Sequence, residues 1–185
     1  KRNLEGHRSR AVFKLEELNK KDKFILKAST VIDLGSSPGG WSQCVSKISG
    51  PEGRILAVDG RPMSKLEGVT FLEGDCGDPN IIKQVENLIG LRACDLVLSD
   101  LAPNISGIKV VDAAAWRNLI EIAIQYVNLF LKPGGNFVAK FFQFEDTEEV
   151  VSNLRSQFSA VYRRKPVSSR KESREFFIVA KEYRV

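Results

Sequence analysis

The chain has 185 residues, 43% hydrophobic and 28% charged, with a formal net charge of +5, which supplies material for one core and excludes a disordered chain. No run approaches the roughly 18 apolar residues of a membrane span, and no apolar N-terminal stretch ends in a small-residue cleavage site, so a membrane or secreted protein is not expected. Three cysteines, Cys44, Cys76 and Cys94, are odd in number and widely spaced, which argues against a disulfide frame or a metal site and for a reducing, cytoplasmic setting.

The charge is uneven along the chain. Residues 1–27 hold nine basic and four acidic residues and 163–174 hold six and one, so each carries +5, while 28–162 carries −5. Two basic segments around an acidic middle predict one footprint for a polyanion, with Arg8, Arg10, Arg163, Arg164 and Arg170 as candidate phosphate contacts. Two solvated surfaces without a partner are the alternative. No linker or repeat suggests a second domain, so a single domain over 1–185 is expected, with 1–27 as a basic segment with a short helix that joins the polyanion-binding surface.

In chain order, Ser9 to Leu18 reads as a short amphipathic helix carrying Phe13, Lys14 and Leu15. Val31 to Trp41, Val-Ile-Asp-Leu-Gly-Ser-Ser-Pro-Gly-Gly-Trp, reads as a buried strand running into a glycine-rich turn and a helix over Gly40 to Ile48. Gly35, Gly39 and Gly40 let the backbone turn tightly and approach a ligand. A dinucleotide fingerprint would need glycine where Ser37 stands, and Pro38 stiffens the loop. Asp33 places a carboxylate inside the turn, where it repels a pyrophosphate and attracts an ammonium or sulfonium. A cationic zwitterion such as S-adenosylmethionine fits this turn better than a nicotinamide dinucleotide, while a purely structural turn remains the alternative.

Strands follow at Arg54 to Asp59, Val69 to Glu73 and Cys94 to Ser99, with a helix near Pro79 to Ile89 before the last of these. A long apolar helix covers Asp112 to Leu131, then the turn Lys132-Pro-Gly-Gly135 leads into a strand at Asn136 to Phe142. A helix from Thr147 to Phe158 precedes strands at Ala160 to Lys165 and Glu175 to Lys181, which lack a helix between them and should pair as an antiparallel hairpin at one edge. The alternation predicts an α/β fold, a seven-stranded and mainly parallel doubly wound sheet with helices on both faces, in the variant found in methyltransferases. Ligands of such sheets bind past the C-terminal ends of the strands. There stand Asp59, placed for ribose hydroxyls, Asp75, placed for an adenine amino group, and Asp100. Any one of them is explained by turn formation, whereas three facing one crevice point to a site.

Five stretches, Arg8-Ser-Arg-Ala-Val-Phe-Lys14, Asp33-Leu-Gly-Ser-Ser-Pro-Gly-Gly-Trp-Ser-Gln43, Ser99-Asp-Leu-Ala-Pro-Asn104, Phe137-Val-Ala-Lys140 and Ser173-Arg-Glu175, together resemble the FtsJ/RrmJ family of ribose 2′-O-methyltransferases. The resemblance spans nearly the whole chain and implies a Rossmann-like, S-adenosylmethionine-dependent methyltransferase domain. It implies that Lys14, Asp100, Lys140 and Glu175 form the family's Lys-Asp-Lys-Glu tetrad, and that Gly39, Trp41, Asp59, Asp75 and Asp100 hold S-adenosylmethionine beside Asp33 and Gly35. Similarity to the bacterial-type members implies a monomer that methylates a uridine ribose in large-subunit ribosomal RNA, within a large-subunit particle. Other members of the family act on transfer RNA anticodon loops or messenger RNA caps. Phe144, in Phe142-Gln-Phe-Glu145, stands where the family pattern has Gly.

A ribose hydroxyl is a poor nucleophile until its proton is removed, which makes Lys140, between Val138-Ala139 and Phe141-Phe142, the candidate base. Asp100 and Glu175 would orient it, and a sulfonium donor needs no metal. A dinucleotide-dependent oxidoreductase is disfavoured by Ser37 and Pro38, and a non-catalytic RNA-binding module by the presence of all four tetrad residue types.

Overall fold

The computed structural model describes residues 6–169 and 173–184. In chain order the elements are α1 (Ala11–Asp22), β1 (Thr30–Leu34), α2 (Gly40–Ser49), β2 (Arg54–Asp59), β3 (Val69–Glu73), α3 (Pro79–Ile89), β4 (Cys94–Ser99), α4 (Lys109–Phe130), β5 (Leu131–Phe142), α5 (Thr147–Gln157), β6 (Phe158–Arg164) and β7 (Glu175–Tyr183). The strands form one sheet in the order β3-β2-β1-β4-β5-β7-β6. The pairs from β3 to β5 are parallel, and β7 runs antiparallel to both neighbours. β7 is thus inserted between β5 and β6, and β6 forms the edge.

The alternation of side chains along each strand divides the apolar residues between two cores. Ile32, Val97 and Phe137 point to one face, where Ile81 and Val85 of α3, Trp116 and Tyr126 of α4 and Leu154 of α5 cover them. Val31, Leu98 and Val138 point to the other, under Val12 and Leu15 of α1 and Trp41 and Val45 of α2. Each fully buried large side chain, such as Trp116 or Phe177, contributes about 1.5–3 kcal/mol, so both helical layers are held mainly by these stripes.

Local punctuation sets the ends of the elements. Asp78 accepts from the Asn80 amide at 2.8 Å with Pro79 in the first helical position, a strong start for α3. α1 runs four residues beyond the expected Leu18 and stops where Lys23 turns left-handed, its amide donating to the Asn19 carbonyl. α4 begins three residues before the expected Asp112. The expected turn at Lys132-Pro-Gly-Gly135 is an outward bulge inside β5: Leu131 pairs with Cys94, and pairing resumes only at Asn136 with Leu96. Pro133 has no amide to give the ladder and Gly134 has a φ of 80°, so this stretch cannot follow the strand.

All three cysteines are buried and free. Among the described residues no helix is long and apolar enough to cross a membrane, and no cluster of His, Cys, Asp or Glu has the arrangement to hold a metal ion.

Candidate active site

The parallel strands β1, β2 and β4 end side by side, and the turn after β1 folds back over them. Gly35 has a φ of 73°, and a Cβ there would come within 3.0 Å of the Leu101 amide nitrogen, so only glycine lets the turn lie against the chain leaving β4. A cleft of about 500 Å³ opens at this junction, lined by Gly35, Ser37, Asp59, Asp100, Asn104 and Lys140 among others. Asp59 is buried and accepts from the Ser37 amide at 2.9 Å and the Arg61 amide at 2.8 Å, which fixes the floor of the cleft. A carboxylate oxygen accepts more than one hydrogen bond, so Asp59 keeps capacity toward a ligand.

Asp33 lies fully buried beneath the turn. Its Oδ2 accepts from the Ser42 hydroxyl at 2.6 Å, while Oδ1, like the nearby Ser36 hydroxyl, is a buried polar atom without a partner among the described residues. Burial pushes the Asp33 carboxyl up to about 7 against the opposing Ser42 bond, with further repulsion from Asp100 and Asp59. A turn open only to glycine and the carboxylates of Asp59 and Asp100 at the cleft suit a small ligand that carries positive charge and hydroxyls.

A second cavity, of about 710 Å³, adjoins the first and is lined by Arg10, Lys14, Asp100, Lys140, Ser173 and Glu175 among others. Lys140 and Asp100 belong to both. Lys140 projects from β5, with Nζ 2.8 Å from Asp100 Oδ1, and only 12% of its side chain is exposed. Lys14, from α1, donates to Glu175 Oε1 at the start of β7. Burial raises the Asp100 carboxyl, against the pull of Lys140 and Lys14, while Glu175 adds repulsion. Two carboxylates and two lysines, from four elements, therefore meet where the cavities join.

The other expected site residues are placed as follows. Gly39 has a φ of 105°, and a Cβ there would meet Met63 Sδ at 2.9 Å. Trp41 is buried, its indole donates to the Ala11 carbonyl at 2.9 Å, and it packs on Phe177, which ties α1 to α2. Asp75 accepts from the Gly77 amide at 2.8 Å. Arg8 donates to the carbonyls of Pro38, Ser64 and Lys65 and so braces the cleft from outside. Arg163 pairs with Glu148 and lies over the Phe176 ring. Arg164 makes a two-pronged pair with Asp22, at 2.9 and 2.7 Å. Arg170 lies outside the described residues. Sequence reasoning missed Ser37, Arg61 and the run Leu101 to Asn104 in the cleft, and Ser168 and Ser173 in the second cavity. The Asp-Leu-Ala-Pro-Asn stretch after β4 carried a signal for part of this, since a polar loop past a parallel strand lies at the ligand side of the sheet. Burial pushes the three thiols up to about 12, so none is a nucleophile near neutral pH.

The family model for the FtsJ-like methyltransferases matches residues 7–183. A ribosomal RNA large subunit methyltransferase E of Stutzerimonas stutzeri is 46% identical over 180 residues, covering 97% of this chain and 87% of that protein. The protein of the same name from Legionella pneumophila strain Lens is 43% identical over 183 residues, covering 99% and 89%. Among solved structures, a ribosomal RNA methyltransferase of Plasmodium falciparum superposes with a TM-score of 0.84 at 24% identity, covering 96% of this chain and 98% of that one. A fibrillarin/Nop5p complex gives 0.66 at 19% identity, over 95% and 85%; these two likenesses speak to the fold.

Proposed function

Because the chain belongs to the FtsJ-like methyltransferase family, we propose that it methylates a ribose 2′-hydroxyl of RNA with S-adenosylmethionine as donor, and that its target is a uridine of large-subunit ribosomal RNA. The reading rests above all on one observation: the glycine-turn cleft and the basic cavity share Asp100 and Lys140. A donor in one and a nucleotide in the other would meet at that pair. A target in large-subunit ribosomal RNA is supported by the relatives named as ribosomal RNA large subunit methyltransferase E.

Bound in the cleft, S-adenosylmethionine would supply an electrophilic methyl on a sulfonium. Asp59 would accept from its ribose hydroxyls, and the residues from Leu101 to Asn104 would cover it from water. Arg10 and Lys14 line the other cavity and would draw in the phosphates of the RNA. As the C–O bond formed and the C–S bond broke, the hydroxyl proton would pass to the Lys140 amine nitrogen. Asp100 Oδ1, at 2.8 Å, then holds the new ammonium. Lys14 and Glu175 fix the far side of the cavity, so that most of the acceleration comes from holding hydroxyl oxygen, methyl and sulfur in line.

The test is single-turnover transfer of labelled methyl to RNA, with mapping of the modified ribose. Lys140→Ala is expected to lose at least a hundredfold in rate while S-adenosylmethionine affinity, read by calorimetry, stays within twofold. Lys140→Arg should fail equally, because a guanidinium stays protonated. Methyl found on a base, or an active Lys140→Arg enzyme, would overturn the reading or the base assignment respectively.

A further inference from the structure

Beside the catalytic cavity lies a third hollow that the proposed chemistry does not use. It measures about 770 Å³ and runs between the first turns of α4 and the chain joining β5 to α5; a volume of that size accommodates a nucleotide. Its lining includes Arg174, the chain neighbour of Ser173 and Glu175 of the catalytic cavity, so one stretch of chain borders both hollows. The Phe144 ring faces it and is backed by Trp116, with centroids 5.7 Å apart, and by Phe142 at 6.4 Å. The ring is thus held as a fixed platform. Val110, which lines the same hollow, is 80% exposed and adds an apolar surface. The amides of Asn118 and Gln143 line the same hollow and carry both donors and acceptors. Arg174 and Lys109 bring positive charge to it.

An aromatic face, two amides and the cations Lys109 and Arg174, with a third, Arg117, held by Glu121, Asp146 and Glu149, match the parts of an unpaired nucleotide: a π-face, a hydrogen-bonding edge and a phosphate. We propose that this groove takes the base of a nucleotide flanking the methylated one, stacked on Phe144, with its phosphate toward Arg174. The proposal rests on RNA being the substrate. The acidic residues Glu121, Glu145 and Asp146 at the groove keep it from being a general phosphate track, which favours recognition of a single base over a length of backbone.

The probe is a short fluorescent oligouridylate, together with a series in which one position at a time is abasic. For the native protein, one abasic position should weaken binding about tenfold, the loss expected for one base unstacked from an aromatic ring. Phe144→Leu, which keeps an apolar contact with Trp116, should weaken the intact oligonucleotide by a similar factor, and that abasic position should then cost nothing further. Phe144→Tyr should behave as native. S-adenosylmethionine affinity should be unchanged in both variants. An abasic series that binds the native protein uniformly would overturn the proposal, as would additive losses in Phe144→Leu. Unchanged binding by Phe144→Leu would do so as well and would leave the groove to a protein partner. Binding is read without methyl transfer, so failure of the catalytic reading shows separately, in the ribose mapping.

Discussion

At the scale of single residues, Asp33 carries a consequence for stability. Its carboxyl is pushed up to about 7 in the fold, from 3.8 in the unfolded chain. Between those values the folded state keeps a proton that the unfolded state has released. The contribution of Asp33 is therefore complete below about pH 4, declines as pH rises, and becomes a penalty on the order of 4 kcal/mol above pH 7. Asp33→Asn removes the titration. Urea unfolding should show its stability relative to the native protein rising by on the order of 2 kcal/mol between pH 5 and 8, and parallel pH profiles would sink the idea. Some of this was legible in the sequence, since Asp33 follows two β-branched residues at the end of a buried strand. That Ser42 would satisfy one oxygen and leave the other bare was not, because it depends on how the turn from Gly35 to Gly39 closes over the strand.

At the scale of elements, the bounds of β2, β3, α3 and β4 were readable from the sequence. Gly53, the Asp78-Pro79 pair and Gly90 punctuate those elements with residues whose backbone preferences are strong. The end of α1 was not readable, because Lys23 adopts a left-handed φ of 48° that lysine rarely takes and its sequence does not announce. Nor was the fastening of that end: Asp22 receives Arg164 of β6 across 142 residues, and Lys181 of β7 donates to its carbonyl at 2.8 Å. The Asp22 side chain is 5% exposed, so removing its partner strands a buried charge. Arg164→Ala should cost about 3–5 kcal/mol in urea unfolding, and adding Asp22→Ala should restore part of it. Equal losses in the single and double variants would show that the pair contributes through packing alone. RNA affinity measured on Arg164→Ala has to be read beside that loss, whereas Arg10, on the wall of the catalytic cavity, tests a phosphate contact more directly.

At the scale of the whole molecule, the basic segments at either end of an acidic middle were visible as charge, and among the described residues parts of the two meet, Arg164 on Asp22 and the Val167 amide on Glu17. What the sequence could not show is that much of this charge is engaged by the protein itself: Arg8 by carbonyls, Arg163 by Glu148, Arg164 by Asp22. The same closure of distant segments sets an order of assembly. The glycine-turn cleft is floored by β1, β2 and the loop after β4, whereas Lys14 and Glu175, which meet across the second cavity, stand 161 residues apart. Contacts so remote along the chain form only after the intervening loop has closed, and chains of this size commonly pass through partly built states. On dilution from urea, the ability to bind S-adenosylmethionine should return before the ability to transfer its methyl, with fluorescence-detected binding leading activity in the same samples. A single rate constant for both would mean that the site is completed in one step. Binding that leads would mean that a newly made chain holds its reagent before it can spend it, so immature molecules bind the donor without modifying RNA.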